Sequence, residues 1–376
     1  MAAPEYSLMQ SAPGPETVID GRRYLYFGGT GYLGLAGHPE VIEAACSATR
    51  RYGLHSATSR AGAGTAPPVQ EVERLAARFF GQEDAFYFAS GYAASHVMIA
   101  ALGRDIDTIL IEETAHPSAV EASRLAGKPI RIFRQSDPND LQDKLRGAGR
   151  ILMAADAVSP ATGTVAPVAE FIGSLQGREP SVLLLDDAHG IGVLGDQGRG
   201  LLETEHYWER ANGAVSEQGV TINVCGTLAK AVGGFGGIVP GTREFVARAR
   251  HSSHYFDGSS APASAVAAGT AKALEIILRQ PELRAALRAN TQRVRQGLRD
   301  MGLKVPHGDT AHFGVSTGDA NEMRHLCAAL QQRGVFVPYL SAYRGVPPEG
   351  LIRFAVFANH SFEQIDRLLS ECKSLL

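Results

Sequence analysis

Three strand-like runs in this chain end on groups able to do chemistry. SVLLL runs into Asp186-Asp187-Ala188-His189-Gly190, TINVC into Gly226-Thr227-Leu228-Ala229-Lys230, and ILMAA into Asp156. In open α/β sheets, ligands bind beyond the carboxyl ends of the strands. An acid, a histidine and a lysine at neighbouring strand tips make one polar site on an apolar floor. Partial burial lowers the pKa of such a lysine, so that a neutral, nucleophilic amine is available. The set suits pyridoxal 5′-phosphate (PLP). Lys230 would form the imine, and a carboxylate facing the pyridine nitrogen would keep it protonated, making the ring an electron sink. Ser90-Gly91-Tyr92, just before AASHVMIAAL, offers backbone N–H groups at a helix start to a phosphate. The plain alternatives are a surface lysine, strand-end caps at Asp186 and His189, a helix N-cap at Ser90 to Tyr92, a helix start at His116-Pro117, and a loop cap at Asp156.

The elements that must hold these groups follow from the pattern of apolar residues. GRRYLYF reads as a short strand and GGTGYLGLAGHP as a glycine-punctuated loop. Pro39 suits a first helical position, and Val41, Ala45, Ala48 and Tyr52 follow as one stripe. After the small-residue loop HSATSRAGAGTAPP, Val69, Val72, Leu75, Ala76 and Phe79 line one side of a second helix. DTILI, PIRIF, ILMAA, SVLLL and TINVC are then separated by helical or loop stretches, which predicts a mostly parallel sheet covered on both faces. The reading is α/β. An N-terminal arm with a short strand spans 1–36, a large domain 37–250, and a smaller α+β domain 251–376. In the last, two helices break near Pro281, strand-like HFGVST, VFVPYL and LIRFAVFA follow, and SFEQIDRLLSECKSLL closes the chain.

Composition excludes several function classes. The 376 residues carry a formal net charge of −3, so no basic field draws the chain to nucleic acid or an anionic surface. No apolar run approaches the roughly 20 residues needed to span a bilayer, and the N-terminus lacks the basic-then-apolar order of a signal peptide. The four cysteines, Cys46, Cys225, Cys327 and Cys372, form no CxxC pair, which predicts reduced thiols, a cytoplasmic location and no structural metal. The 12 histidines show no metal-ligand spacing. AVGGFGGIVPG follows a lysine, not the strand–helix turn of a dinucleotide fold, and is read as no nucleotide loop.

In order, YLGLAGHPEV, YFASGYAAS, AHPSA, DDAHGIGVLGDQGRG, CGTLAKAVGGFGG and IRFAVFANH resemble the motifs of the α-oxoamine synthases, fold-type-I PLP enzymes, from about Tyr24 to the C-terminus. The resemblance implies the fold-type-I transferase architecture and a set of roles. Lys230 would carry the cofactor and shuttle the proton at the substrate's Cα. Asp186 would pair with the pyridine nitrogen, His189 would hydrogen-bond the ring hydroxyl, and His116 would stack on the ring. Ser90, Gly91, Tyr92 and Thr227 would hold the phosphate, with Ser259 or Ser260 reaching the phosphate of the partner subunit in a homodimer. Arg353, seven residues before His360, would grip the amino acid's carboxylate.

The implied activity is condensation of an amino acid with an acyl thioester, on CoA or a carrier protein, usually with decarboxylation, to an α-amino ketone. An aminotransferase, racemase or lyase is the alternative within PLP chemistry, and a non-catalytic PLP-binding protein the alternative outside catalysis. The departures fall on the substrate side. Gly31 stands where the family has asparagine, Val69 where it has histidine, and Pro160 where it has serine. Specificity built from polar contacts is steep, so such losses bear on which substrates are taken.

Overall fold

The computed structural model describes residues 6–135, 137–178, 181–213 and 219–376. Its strands are β1 (Glu16–Ile19), β2 (Arg22–Tyr26), β3 (Asp84–Phe88), β4 (Thr108–Glu112), β5 (Ile130–Phe133), β6 (Ile151–Asp156), β7 (Ser181–Asp186), β8 (Val220–Thr227), β9 (Gly237–Gly241), β10 (His312–Val315), β11 (Val335–Phe336), β12 (Tyr339–Leu340) and β13 (Leu351–Ala355). Seven of them form one sheet in the order β3-β9-β8-β7-β6-β4-β5, in which β9 alone runs against its neighbours. The five runs expected as strands are the parallel part; the apolar residues of β4, β6, β7 and β8 are buried under the covering helices, whereas the edge strand β5 leaves Ile132 exposed.

Two strands of this sheet lie outside the runs expected from the sequence, and one of them hides behind turn-like residues. GIVPG, the end of the glycine-rich run AVGGFGGIVPG, is β9. A Cβ on Gly237 would collide with the Phe88 ring, so the glycine lets β3 and β9 close on each other. The Pro240 carbonyl accepts a hydrogen bond from the buried Asn212 amide at 2.5 Å. Its partner at the sheet edge, DAFYF, is β3 and directly precedes the Ser90 turn.

The stripe expected on the second helix holds, and that on the first holds in part, with Ala45 and Tyr52 only half-buried. In Pro39–Tyr52, Val41 and Ala48 are buried; in Pro67–Phe80, Val69, Val72, Leu75, Ala76 and Phe79 are. Each such large side chain withdrawn from water contributes about 1.5–3 kcal/mol. The loop before the second helix is pinned: Arg60, buried, makes a two-pronged contact with Glu73 at 2.6 and 2.9 Å and donates to the Tyr87 carbonyl.

A second core lies between the antiparallel sheet β10-β13-β12, the sheet β1-β2-β11 and the helices Glu282–Asp300, Ala320–Gln332 and Phe362–Leu375. The strand expected from GRRYLYF is β2; it pairs with β11 from the far end of the chain and so joins this C-terminal layer. Segment 159–163 stitches the two layers together. His312 Nε2 reaches the Ser159 carbonyl at 2.9 Å, Arg353 Nε donates to Pro160 O at 2.9 Å, Thr310 Oγ1 to Gly163 O at 3.1 Å, and the Gly314 amide to Thr162 O at 3.1 Å. Gly163 has φ +72, and a Cβ there would collide with the His312 carbonyl oxygen.

Among the described residues no helix is long and apolar enough to cross a membrane, and no group of three or more His, Cys, Asp or Glu is arranged to hold a metal.

Candidate active site

Parallel register sets the site. Asp156 of β6 lies opposite Asp186 of β7, which lies opposite Cys225 of β8; β8 runs on to Thr227, and the chain then turns back through Lys230. The acid, histidine and lysine expected at neighbouring tips therefore meet. A cavity of about 320 Å³ opens there, lined by Ser90, Gly91, Tyr92, His116, Asp156, Pro160, Asp186, His189, Thr227 and Lys230 among others.

Each side chain is held by local structure. Ser90 precedes the turn Gly91–Ala93 and accepts the Tyr92 amide at 3.3 Å; the helix Ala94–Leu102 follows, with its amide end at the cavity. His116 caps the helix Pro117–Leu125, taking the Ser118 amide on Nδ1 at 3.2 Å, while its own amide donates to Asp156 at 3.0 Å. The helix start and the cavity wall are thus one residue, and capping fixes the ring. Tyr92 stands edge-on to it at 5.7 Å between centroids and donates to Glu121 at 2.6 Å. Thr227 Oγ1 donates to Gly236 O at 2.8 Å and accepts the Ala229 amide at 3.1 Å.

Burial and charge tune the cluster. Burial pushes the Lys230 amine below its ordinary value, against the opposing pull of Asp186 and Asp156. Burial also raises both carboxyls. Asp156 goes well up, helped by the neighbouring Asp186, whereas Lys230 and His116 hold Asp186 back. Asp156 is accordingly the member that protonates first, and Asp186 the one better able to stay ionised. His189, buried, is held well below the usual imidazole range by desolvation, then by Lys230, His312 and Arg353.

These residues fit PLP. The cavity presents one depressed amine, one carboxyl with an oxygen beyond that engaged by the Ala188 amide, two neutral imidazoles and a short turn at a helix start. A cradle for a close-lying anion is visible at Gly91, where a Cβ would collide with Thr227 Oγ1. Gly91→Ala is expected to push the turn from Thr227 and weaken PLP affinity about tenfold or more, equivalent to roughly 1.4 kcal/mol. Titration of the cofactor-free protein with PLP checks it, and an unchanged Kd would count against a phosphate site there.

Three expected residues need separate accounts. Arg353, buried on β13, does not line the cavity; it donates to Pro160 O at 2.9 Å, to Gly29 O at 3.0 Å and to Tyr32 Oη at 3.1 Å. Three of its five N–H groups are engaged in this way, leaving two for a carboxylate. Ser259 and Ser260 lie away from the cavity. Ser259 donates to Tyr255 O at 3.1 Å and borders a different hollow, with His96 and Arg104. Of the substrate-side departures, Val69 is fully buried in the large core, whereas Pro160 stands in the cavity wall.

Sequence reasoning missed Tyr32 and His312. Both are fully buried. Tyr32 Oη lies 2.8 Å from His189 Nδ1 and 3.0 Å from His312 Nδ1. Tyr32 sits in the GYLGL run and His312 opens a predicted strand, but neither spacing nor composition marks them.

Asp187, beside the site, has a different part. Its carboxylate accepts the Leu201 amide at 2.6 Å and closes the loop 187–201; burial raises it to about 8. The folded chain then keeps a proton that the unfolded chain has released, so stability falls as pH rises from 3.8 toward about 8. Asp187→Asn, which cannot titrate, is expected to flatten that slope. Denaturant midpoints across this window measure it, and parallel curves for the two proteins would refute it.

Fold and cavity together define a fold-type-I PLP transferase. The profile of the aminotransferase class I and II family matches residues 24–371. The chain is 32% identical to 8-amino-7-oxononanoate synthase 2 of Bacillus subtilis over 98% of its length and 92% of the relative's. It is 34% identical to 8-amino-7-oxononanoate synthase of Pelobacter propionicus over 94% and 89%. Serine palmitoyltransferase of Sphingomonas wittichii superposes with a TM-score of 0.86 at 28% identity, over 98% of this chain and 91% of that one. An SPT structure with the PLP internal aldimine gives 0.88 at 24% identity, over 98% and 92%, a likeness of fold. The chain belongs to the aminotransferase class I and II family and, within it, to the α-oxoamine synthases, which are PLP-dependent acyltransferases.

Proposed function

We propose that this enzyme joins an amino acid to an acyl thioester, with loss of the amino acid's carboxylate, to give an α-amino ketone, using PLP held by Lys230. The observation that carries the reading is the meeting of Lys230, Asp186, His116, His189 and the Ser90–Tyr92 turn around one cavity. When bound, PLP supplies an electron sink for charge developing at the substrate's Cα.

The chain's own groups do the rest. Asp186 would pair with the pyridine nitrogen of the bound cofactor and keep its proton in place. His116, fixed by its cap, gives the ring a flat face. The amides and hydroxyls of Ser90, Gly91, Tyr92 and Thr227 receive the phosphate, with Ser259 or Ser260 contributing to the partner subunit's site in a homodimer. Arg353 offers its two remaining N–H groups to the amino acid's carboxylate. The Lys230 amine, its pKa lowered by burial, takes the Cα proton. The electron pair left at Cα then attacks the thioester carbonyl, the C–S bond breaks, and the thiol departs with a proton. Carbon dioxide is then lost, and the electron pair it leaves at Cα takes back the proton held by Lys230.

The reading extends to a cytoplasmic homodimer, supported by four unpaired cysteines and by the distance of Ser259 and Ser260 from their own chain's cavity. PLP-loaded enzyme incubated with an amino-acid panel and acyl-CoAs is expected to release thiol only when both substrates are present. A keto-acid product without thiol release would establish the aminotransferase alternative instead.

A further inference from the structure

The tyrosine hydroxyl beneath the site has one proton and two lone pairs, and three groups within reach of it. His312 Nε2 lies 2.9 Å from the Ser159 carbonyl, which only accepts, so that nitrogen carries hydrogen. In the neutral ring, His312 Nδ1 is then a bare acceptor, and it takes the Tyr32 proton at 3.0 Å. Arg353 Nη2 fills one lone pair of the Tyr32 oxygen at 3.1 Å. His189 Nδ1, at 2.8 Å, has no remaining role but to donate into the other. The His312 and Tyr32 rings stack with an interplanar angle of 5°, and both are fully buried, which keeps water out of the exchange.

We infer that Tyr32 and His312 are positioning residues that hold His189 as its Nδ1–H tautomer and so turn an unprotonated Nε2 toward the cofactor cavity. The inference rests on the reading that PLP occupies this cavity, and it specifies the chemistry of that wall: His189 meets the ring hydroxyl as an acceptor, not as a donor. His189 lines the cavity whereas Tyr32 does not, so the nitrogen facing the cavity is the one opposite Tyr32. Burial of His189 and His312, with Lys230 and Arg353 nearby, keeps both rings neutral.

In a His312→Phe variant the tyrosine proton is released to His189 Nδ1, which drives the ring to the Nε2–H form. A donor facing the ring hydroxyl stabilises its ionised form, so the pH midpoint between the holoenzyme's visible absorption bands is expected to move down by about one unit, 1.36 kcal/mol of differential interaction. Lys230, Asp186, Asp156 and His116 line the cavity in both proteins and Arg353 stays behind it on Tyr32, so the difference reports the His189 tautomer. A merely structural histidine would leave that midpoint in place.

Neutron diffraction from deuterium-exchanged wild-type crystals, with and without PLP, tests the inference directly. Deuterium on His189 Nδ1 and His312 Nε2 is expected in both; a bare His189 Nδ1 overturns it. Tyr32→Phe is the second variant should His312→Phe not fold, and an unmoved midpoint in whichever variant folds also overturns it. Borohydride fixation of the cofactor, read by peptide mass spectrometry, separates this from failure of the PLP reading. Absence of label on Lys230 condemns that reading, while the deuterium map of the cofactor-free protein still decides the tautomer.

Discussion

Replacing Lys230 by alanine is expected to lower the condensation rate on the order of 10⁴-fold while the protein remains folded. The size of the effect follows from two duties carried by one amine. In the proposed function Lys230 would anchor the cofactor covalently and, once displaced by substrate, would take the Cα proton from within hydrogen-bond reach. Its environment serves proton removal, since burial lowers the amine's pKa while Asp186 and Asp156 pull the other way. The result is a base that is neutral at lower pH than an exposed lysine. Borohydride treatment of the PLP-loaded wild type should add phosphopyridoxyl to the Lys230 peptide and to no other, and the alanine variant should take up none. A variant that keeps the yellow covalent complex would sink the assignment.

Asp186→Asn is expected to lower kcat by about 10²–10³-fold, with a much smaller change in PLP affinity. In the proposed function the carboxylate would supply the negative charge that holds a proton on the pyridine nitrogen, and an amide is nearly isosteric but neutral. Asp156 lies opposite it in register but is no substitute. Burial raises its carboxyl further, and one of its oxygens is already tied to the His116 amide at 3.0 Å. Steady-state kinetics beside a PLP titration separate the two effects. An equal loss in both would mean that Asp186 merely shapes the cavity.

The parallel core was legible because its strands are continuous apolar runs, and the cofactor side because each group follows such a run in a fixed motif. Lys230, Asp186, His189, His116 and the Ser90–Tyr92 turn all line one cavity as the sequence led one to expect. β9 was not legible. Its glycines and Pro240 are turn residues by type; the Phe88 ring lying across Gly237 and Asn212 pressed against Gly241 account for the glycines only once the fold is in place. The pairing of β2 with β11 escaped for another reason: it joins segments from opposite ends of the chain, which no local pattern records. Tyr32 and His312 remained invisible because their importance lies in hydrogen-bond direction. A tyrosine in a glycine-rich loop and a histidine opening a strand have no spacing that links them to His189; only burial beside it does.

The stitching of segment 159–163 to β10 and β13 has a thermodynamic corollary. Pro160 is both part of the cavity wall and an acceptor for Arg353, and its neighbours on either side are bonded to His312, Thr310 and Gly314. Any subglobal opening that frays the C-terminal strands therefore dismantles the rim of the catalytic chamber, making the two layers one foldon. Injury remote from the chemistry, in the helices that back those strands, would register first as a leak of cofactor.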